Sequence, residues 1–352
     1  FLYTCYFEVF LGDEFMFTKL AKTVVLFVMA ILHFSFMAIA GDIPDISTDL
    51  ARATYKIEGE GSIGTAFFVG IPIENDPDNC FPVLVTAHRV LNNIKGDKAV
   101  LYLRKKVGEL YKKVPFELTI RADGKNLWVS HKDADVAVMH IPFLELPEEI
   151  DRPSLFVFST WLADDGYLKD VRLHPGDEFL CLGYPLGQEL DDAGFSILRG
   201  GKISYLMFPT RGIGRILLDL EVFNGDSGGP VYFYHKGSAR RDERVSGVYT
   251  YQFIVGLMKS VSSDGHKEEK KLLKLAEVVP SVFIKEAIEL LLFREKFSEI
   301  TFSSTQDINK PTKEALEIKK MYKTYDDKDF YKQLNNNIGQ STSNYEGPHP
   351  VE

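Results

Sequence analysis

The sequence predicts an all-β protein of barrels or sandwiches in two halves, with helix arriving only near the C-terminus. Three observations carry this. From Ile63 to about residue 260 the chain is a succession of short apolar or alternating runs. Gly, Pro, Asn and Asp punctuate those runs, as turn chemistry requires. No helical-period segment separates the strands, which argues against βαβ units and a parallel sheet.

The leading residues 1–40 stand apart. Met16 is followed by Lys19 and Lys22, an apolar run from Val24 to Met37, and Ala38-Ile39-Ala40 before Gly41. That is the order of a charged region, an apolar region and a small-residue cleavage site, so export with cleavage after Ala40 is expected. The run is short for a membrane-spanning helix, and no stable anchor is expected after cleavage. An uncleaved anchor is the alternative.

The expected strands then follow in order. They are T65-A-F-F-V69, F81-P-V-L-V-T86, V100-L-Y-L103, V136-A-V-M-H-I141, F179-L-C-L182, G201-K-I-S-Y-L206, I216-L-L-D-L220, V231-Y-F-Y234 and V245-S-G-V-Y249. Residues 144–175, with Pro147, Pro153 and Pro175, read as the crossing between halves, which places the halves at 41–150 and 151–265. Residues 266–297 are rich in Lys, Glu, Leu and Ala, and Pro280 suits the first turn of a last helix. Residues 298–352 turn polar, with too few apolar side chains to offset the entropy of ordering, and are expected to form a flexible tail. No internal repeat is present.

Net charge is −9, so there is no basic footprint for nucleic acid. Cys80 and Cys181 lie a hundred residues apart and are read as unpaired, and no spacing suggests a metal site. No cofactor is implied.

The segment that carries chemistry is G225-D-S-G-G229. A serine nucleophile needs backbone N–H groups aimed at the developing oxyanion and room for substrate. Flanking glycines supply both, which nominates Ser227 as nucleophile and the amides of Gly225 and Ser227 as oxyanion donors. A plain turn is the bland alternative. The letters also fit the nucleophile elbow of α/β-hydrolases, but the residues that follow, V231-Y-F-Y234, read as strand where that elbow requires helix. A serine hydroxyl needs a base, and His88 ends the apolar run L84-V-T-A-H88. A carboxylate must orient the base, and Asp135 leads a buried-looking strand, with Asp133 as competitor. The chain order His, Asp, Ser has gaps of 47 and 92 residues.

Together these blocks resemble the trypsin-like (chymotrypsin-fold) serine proteases, especially their exported bacterial branch, over roughly residues 60–290. The resemblance is carried by G64-T-A-F-F-V69, L84-V-T-A-H88, D135-V-A-V138 and G225-D-S-G-G-P-V231, with G176-D-E-F-L-C-L-G-Y-P-L-G187 and R199-G-G-K-I-S204 from the second half. It implies two packed six-stranded antiparallel β-barrels, trypsin-like, with a C-terminal helix and a flexible tail. It implies endopeptidase chemistry on peptide or protein substrates through an acyl-enzyme on Ser227. G247-V-Y-T-Y-Q252 would pair with substrate backbone, which nominates Thr250, Tyr251 and Gln252 as substrate-binding residues. Glu221, six residues before Ser227, would lie near the floor of the specificity pocket and favour a basic residue there, with an outward-facing Glu on a strand as the alternative.

One departure matters. The family block is T-A-x-H, and here His88 follows Ala87 directly, which leaves Arg89 where the base belongs. Arginine stays protonated and does not accept a proton. Either the local turn presents His88, or the chain is an inactive binding protein on a trypsin scaffold. Asp226 is a second open point, since a buried ionised carboxylate needs a partner and no activation site near Gly41 supplies an N-terminal amine.

Overall fold

Two long apolar runs, Thr65–Val69 and Val83–Thr86, set up the first half because each is buried on both faces. In the computed structural model they belong to β2 (Ser62–Ile73) and β3 (Asp76–Thr86), paired antiparallel with Ala66 opposite Thr86 and Phe68 opposite Leu84. The structure describes residues 45–73, 76–141, 146, 148–151, 157–207, 215–237, 249–259 and 275–304. The expected leader, the start of the strand expected at Val245 and most of the expected tail lie outside the described residues. Residues 46 onward form one compact unit.

One edge of β2 carries β1 (Thr54–Gly59), then β4 (Lys98–Val107) and β5 (Leu110–Thr119). On its other side β3 carries β9 (Ala137–His140) and β8 (Val129–Ser130), and β10 (Val157–Phe158) adds a short parallel pairing to β2. A small hairpin, β6 (Arg121–Ala122) with β7 (Lys125–Asn126), stands outside this sheet. The first of the two expected barrels is therefore, among the described residues, an eight-stranded sheet that does not close. The outer side of β5 faces the second half instead of β8, and the Lys113 N–H donates to the Asp192 carbonyl at 3.2 Å.

The second half closes. β11 (Glu178–Gly183), β12 (Ile197–Met207), β13 (Arg215–Asp219), β14 (Pro230–Gly237), β15 (Tyr249–Lys259) and β16 (Leu275–Pro280) form a barrel in the order β11-β12-β13-β16-β15-β14. Phe179, Phe233 and Phe253 fill its interior, with Phe233 packed 5.3 Å from Phe253 and 5.9 Å from Phe179. β16 corrects the expected helical segment 266–297. Leu275, Ala276, Glu277 and Val278 alternate between half-buried and buried, and the strand bridges β13 and β15 to complete the barrel.

Helix α1 (Ile46–Ala53) precedes β1 and buries Ile46, Leu50 and Ala53. The crossing contains a 3₁₀ turn (Ser159–Trp161) and α3 (Asp165–Asp170), whose cap Asp164 accepts the Tyr167 N–H at 2.8 Å. The short helix between β3 and β4, α2 (His88–Asn93), belongs to the site below. The last helix, α4 (Ser281–Ser304), starts directly after Pro280 and runs past the expected boundary at 297. Ile284, Ala287, Ile288 and Leu291 make its buried stripe, and Ser281 Oγ donates to the Ala163 carbonyl at 2.5 Å.

Two buried side chains stitch the halves. The Arg104 guanidinium, on β4, donates to the carbonyls of Arg52 (2.6 Å), Thr54 (2.9 Å) and Gly194 (3.1 Å). From the second half, the Tyr184 hydroxyl donates to the carbonyls of Thr54 (3.2 Å) and Gly194 (3.0 Å). Cys80 and Cys181 are both free, and burial pushes the Cys181 thiol up to about 12. Among the described residues no helix is long and apolar enough to cross a membrane.

Candidate active site

The serine turn is built by constraint on its glycines. Gly225 has φ +99°, and a Cβ there would lie 2.1 Å from the Tyr184 carbonyl oxygen. Gly228 has φ +88°, and a Cβ there would meet Thr65 O at 2.3 Å and Thr86 Oγ1 at 2.4 Å. The turn is therefore pressed against β2 and the end of β3. Thr65 fixes it from both sides: its N–H donates to Ser227 O at 2.9 Å and its Oγ1 to Gly225 O at 2.7 Å. The N–H groups of Asp226, Gly228 and Gly229 are spent on Phe223, Met258 and Asp226 carbonyls. Those of Gly225 and Ser227 donate to no group of the described protein, so the two expected oxyanion donors are unspent.

Asp226 is buried under this turn, and its partner is internal. Arg199 Nη2, from β12, reaches Asp226 Oδ2 at 2.5 Å, and the Phe223 N–H donates to the same oxygen at 2.7 Å. Burial pushes the Asp226 carboxyl up, against the opposing pull of the Phe223 amide and Arg199. Gly183 must lack a side chain here, because a Cβ would lie 2.7 Å from Asp226 Oδ1. The signal in the sequence was an arginine in R199-G-G-K-I-S204, but only strand register reveals that it faces Asp226.

The base position is decided by α2. Ala87 is extended (φ −73°, ψ 138°), and the helix begins at the next residue. Successive helical side chains diverge by about 100°, so His88 and Arg89 face different ways. The Arg89 N–H donates to Asp135 Oδ1 at 3.0 Å, and Arg89 Nε donates to Asp135 Oδ2 at 2.6 Å. One residue thus engages both oxygens of the carboxylate, through backbone and side chain. The pair is largely sheltered, with side-chain exposures of 24% and 12%. Asp133, the competitor, holds a 62% exposed carboxylate near Lys132.

Ser227 and Arg89 line one cleft of about 500 Å³, together with Glu58, Ile63, Asn93 and Asn224. His88 does not line it. His88 lines a neighbouring cavity of about 570 Å³ with Ser130, His131, Asp133 and Asp135, and its ring meets Trp128 edge-on at 5.2 Å. No hydrogen bond joins His88 to Asp135 or to Ser227, and its Nδ1 is buried without a partner among the described residues. The expected triad of His88, Asp135 and Ser227 is therefore not assembled: Asp135 holds Arg89.

The expected substrate-binding residues are not brought to the site. Thr250, Tyr251 and Gln252 pair with Lys236, His235 and Tyr234 on β14, and Tyr251 is buried. The strand beside the serine turn is further along β15: the Gly228 N–H donates to Met258 O and the Met258 N–H to Gly229 O. Six residues of strand separate Gln252 from Met258, about 20 Å. Glu221 is exposed, is absent from the lining of the serine cleft, and offers its carbonyl to Arg199 Nη1 at 2.8 Å. Among the described residues no three His, Cys, Asp or Glu side chains are grouped to hold a metal.

The described residues thus form a closed six-stranded barrel, an open eight-stranded sheet and a final helix. No family model and no curated protein matches the chain. Solved structures do. Rv3671c of M. tuberculosis, as a serine-to-alanine mutant in its inactive form, is 15% identical with a TM-score of 0.39, covering 71% of this chain and 94% of that one. The Rv3671c protease, also in an inactive form, is 17% identical with a TM-score of 0.38, covering 70% and 90%. Thermostable serine protease AL20, from an extremophilic microorganism, is 10% identical with a TM-score of 0.37, covering 68% and 96%. These likenesses say nothing of activity, which rests on the residues of the cleft.

Proposed function

We propose that this chain is a non-hydrolytic member of the trypsin-like fold, a protein that holds peptide in the serine cleft without cutting it. The observation that carries the reading is the two-point hold of Arg89 on Asp135, with Arg89 rather than His88 lining the Ser227 cleft. A guanidinium keeps its proton, so it does not take the proton from Ser227 that acyl transfer requires. The oxyanion amides then serve as fixed hydrogen-bond donors for a bound carbonyl or carboxylate.

The test is incubation of the folded protein with a mixture of synthetic peptides, followed by mass spectrometry of the free and retained fractions. Retained, uncut peptides are expected. Cleavage products that are absent from a Ser227→Ala control would overturn the reading.

A second reading has one observation in its favour. His88 shares a cavity with Asp135, and its Nδ1 has no partner there. If the ring exchanged places with Arg89, the chain would be an exported serine endopeptidase acting through His88, Asp135 and Ser227. Cleavage lost in His88→Ala and retained in Arg89→Ala would select it. Export itself rests on the Lys19 to Ala40 segment, and sequencing of the secreted protein's N-terminus should begin at Gly41.

A further inference from the structure

We infer that the hairpin joining β4 to β5 is a reversible docking point for an anionic lipid surface, with Val107 and Leu110 entering the bilayer interface and Lys105 and Lys112 meeting lipid phosphates behind them. This surface lies apart from the serine cleft, so it serves under either reading of Ser227. Val100 is the residue of β4 that lines the cleft, and Val107 is seven residues further on, about 23 Å along the strand.

The hairpin is the segment R104-K-K-V-G-E-L-Y-K-K113, with five cations and one carboxylate in a chain of net charge −9. Its two-residue loop is Gly108-Glu109, and Gly108 has φ +63°. A Cβ on Gly108 would meet nothing within 4 Å, so the tip stands clear of the rest of the fold. Val107 pairs with Leu110, and Lys105 with Lys112. Alternate residues share a face of a strand, so these four side chains lie on one face. The opposite face carries Arg104, Lys106, Tyr111 and Lys113.

The two faces differ in what they touch. On the second face Arg104 holds the Arg52 and Gly194 carbonyls, and Lys113 pairs with Glu189. The Tyr111 hydroxyl accepts from Arg52 Nη2 at 3.0 Å, and its ring packs 5.5 Å from Phe195. These contacts order the hairpin before any partner arrives. On the first face Val107 is 51% exposed and Leu110 74%, the most exposed large apolar side chain among the described residues. Lys105 and Lys112 form no ion pair among the described residues. Lysines on an edge strand deter pairing with other chains, but that role does not need an apolar pair ahead of them.

The spacing selects the partner. Two strand residues span about 7 Å, which sets the lysines that far behind the apolar tip. Interfacial apolar groups sit roughly 5–10 Å into the headgroup boundary, so the ammonium groups reach the phosphates as the tip enters. A nucleic acid would engage the lysines and leave Val107 and Leu110 in water.

The test is co-sedimentation with sucrose-loaded vesicles, using the chain from Gly41, which omits the apolar run Val24–Met37 and keeps the compact unit from Ile46 onward. Vesicles of phosphatidylcholine and phosphatidylglycerol in equal parts are compared with phosphatidylcholine alone. Binding to the mixed vesicles is expected to be roughly 25-fold tighter and to weaken with salt, since each lysine contributes about fivefold. Lys105→Gln with Lys112→Gln should remove most of that difference. Val107→Ser with Leu110→Ser, folded by circular dichroism, should weaken binding to the mixed vesicles by roughly tenfold or more. Equal binding to both vesicles, or binding to neither, would overturn the inference. So would equal binding by the parent and the Val107→Ser, Leu110→Ser variant. Tighter binding to a random-sequence DNA duplex than to the mixed vesicles would assign the hairpin to nucleic acid. Self-association of the parent that the same variant lacks would assign it to a second copy of the chain, and either result would overturn the proposal.

Discussion

A serine hydroxyl becomes a nucleophile only beside a group that can take its proton, and in this chain Arg89, bound to Asp135, lines the Ser227 cleft whereas His88 does not. The G-D-S-G-G segment was legible in the sequence because its residues are contiguous, although the contacts that require its glycines come from Tyr184, Thr65 and Leu182 elsewhere in the fold. Which of two adjacent residues lines the Ser227 cleft was not equally legible, because one helical step decides it. The missing residue between Ala87 and His88 was the only signal, and it pointed to Arg89. The counter-ion of Asp226 was illegible, since Arg199 meets it only through barrel register. Arg199→Met should leave a 2% exposed carboxylate without its cation and cost about 3–5 kcal/mol, read as a lower urea midpoint at an unchanged slope. A loss below about 1 kcal/mol would mean that the Phe223 amide suffices.

At the scale of elements, α4 docks through groups that titrate near neutrality. Burial, then the neighbouring Glu286, push Glu289 up to about 7 against the pull of Lys285, and burial pushes Asp165 up to about 6 against Lys169. Asp164 lies near Lys285, and His131 Nε2 lies 2.7 Å from Glu286. Both raised carboxyls hold protons in the folded state that the unfolded chain has released, so the stability they contribute is fully present below about pH 4 and is lost as pH rises to about 7. Glu289→Gln should flatten the upper part of that fall, measured as Tm from pH 5 to 8. An unchanged profile would show that Glu289 is solvated. Among elements, the central strands β2 and β3 were legible from their apolar runs. α1, β1 and β5 were not: β5 is an edge strand, Leu110 to Thr119, whose Lys112, Lys113 and Pro115 break the apolar pattern. β16 was mistaken for helix because Ala, Glu and Leu favour helix until barrel closure overrides them.

For the whole molecule, the all-β class was legible from strand spacing and turn residues. Closure of each half was not, because it depends on pairings between strands far apart in sequence. Only the second half closes among the described residues, and the first spends the outer side of β5 on the loop around Asp192. Arg104 and Tyr184 lock the halves through the same two carbonyls, Thr54 and Gly194. That lock joins the half that supplies α2 to the half that supplies the serine turn. Arg104→Met should therefore strand several carbonyls and cost about 2–4 kcal/mol in urea unfolding; a change under about 0.5 kcal/mol would remove Arg104 from this role. The central claim concerns what faces Ser227. Its most direct measurement is intact-mass detection of a fluorophosphonate adduct on the folded parent protein and on Arg89→His, side by side. No adduct on the parent, and an adduct on Arg89→His that disappears with Ser227→Ala, is the expected result. An adduct on the parent that is lost in His88→Ala would contradict it.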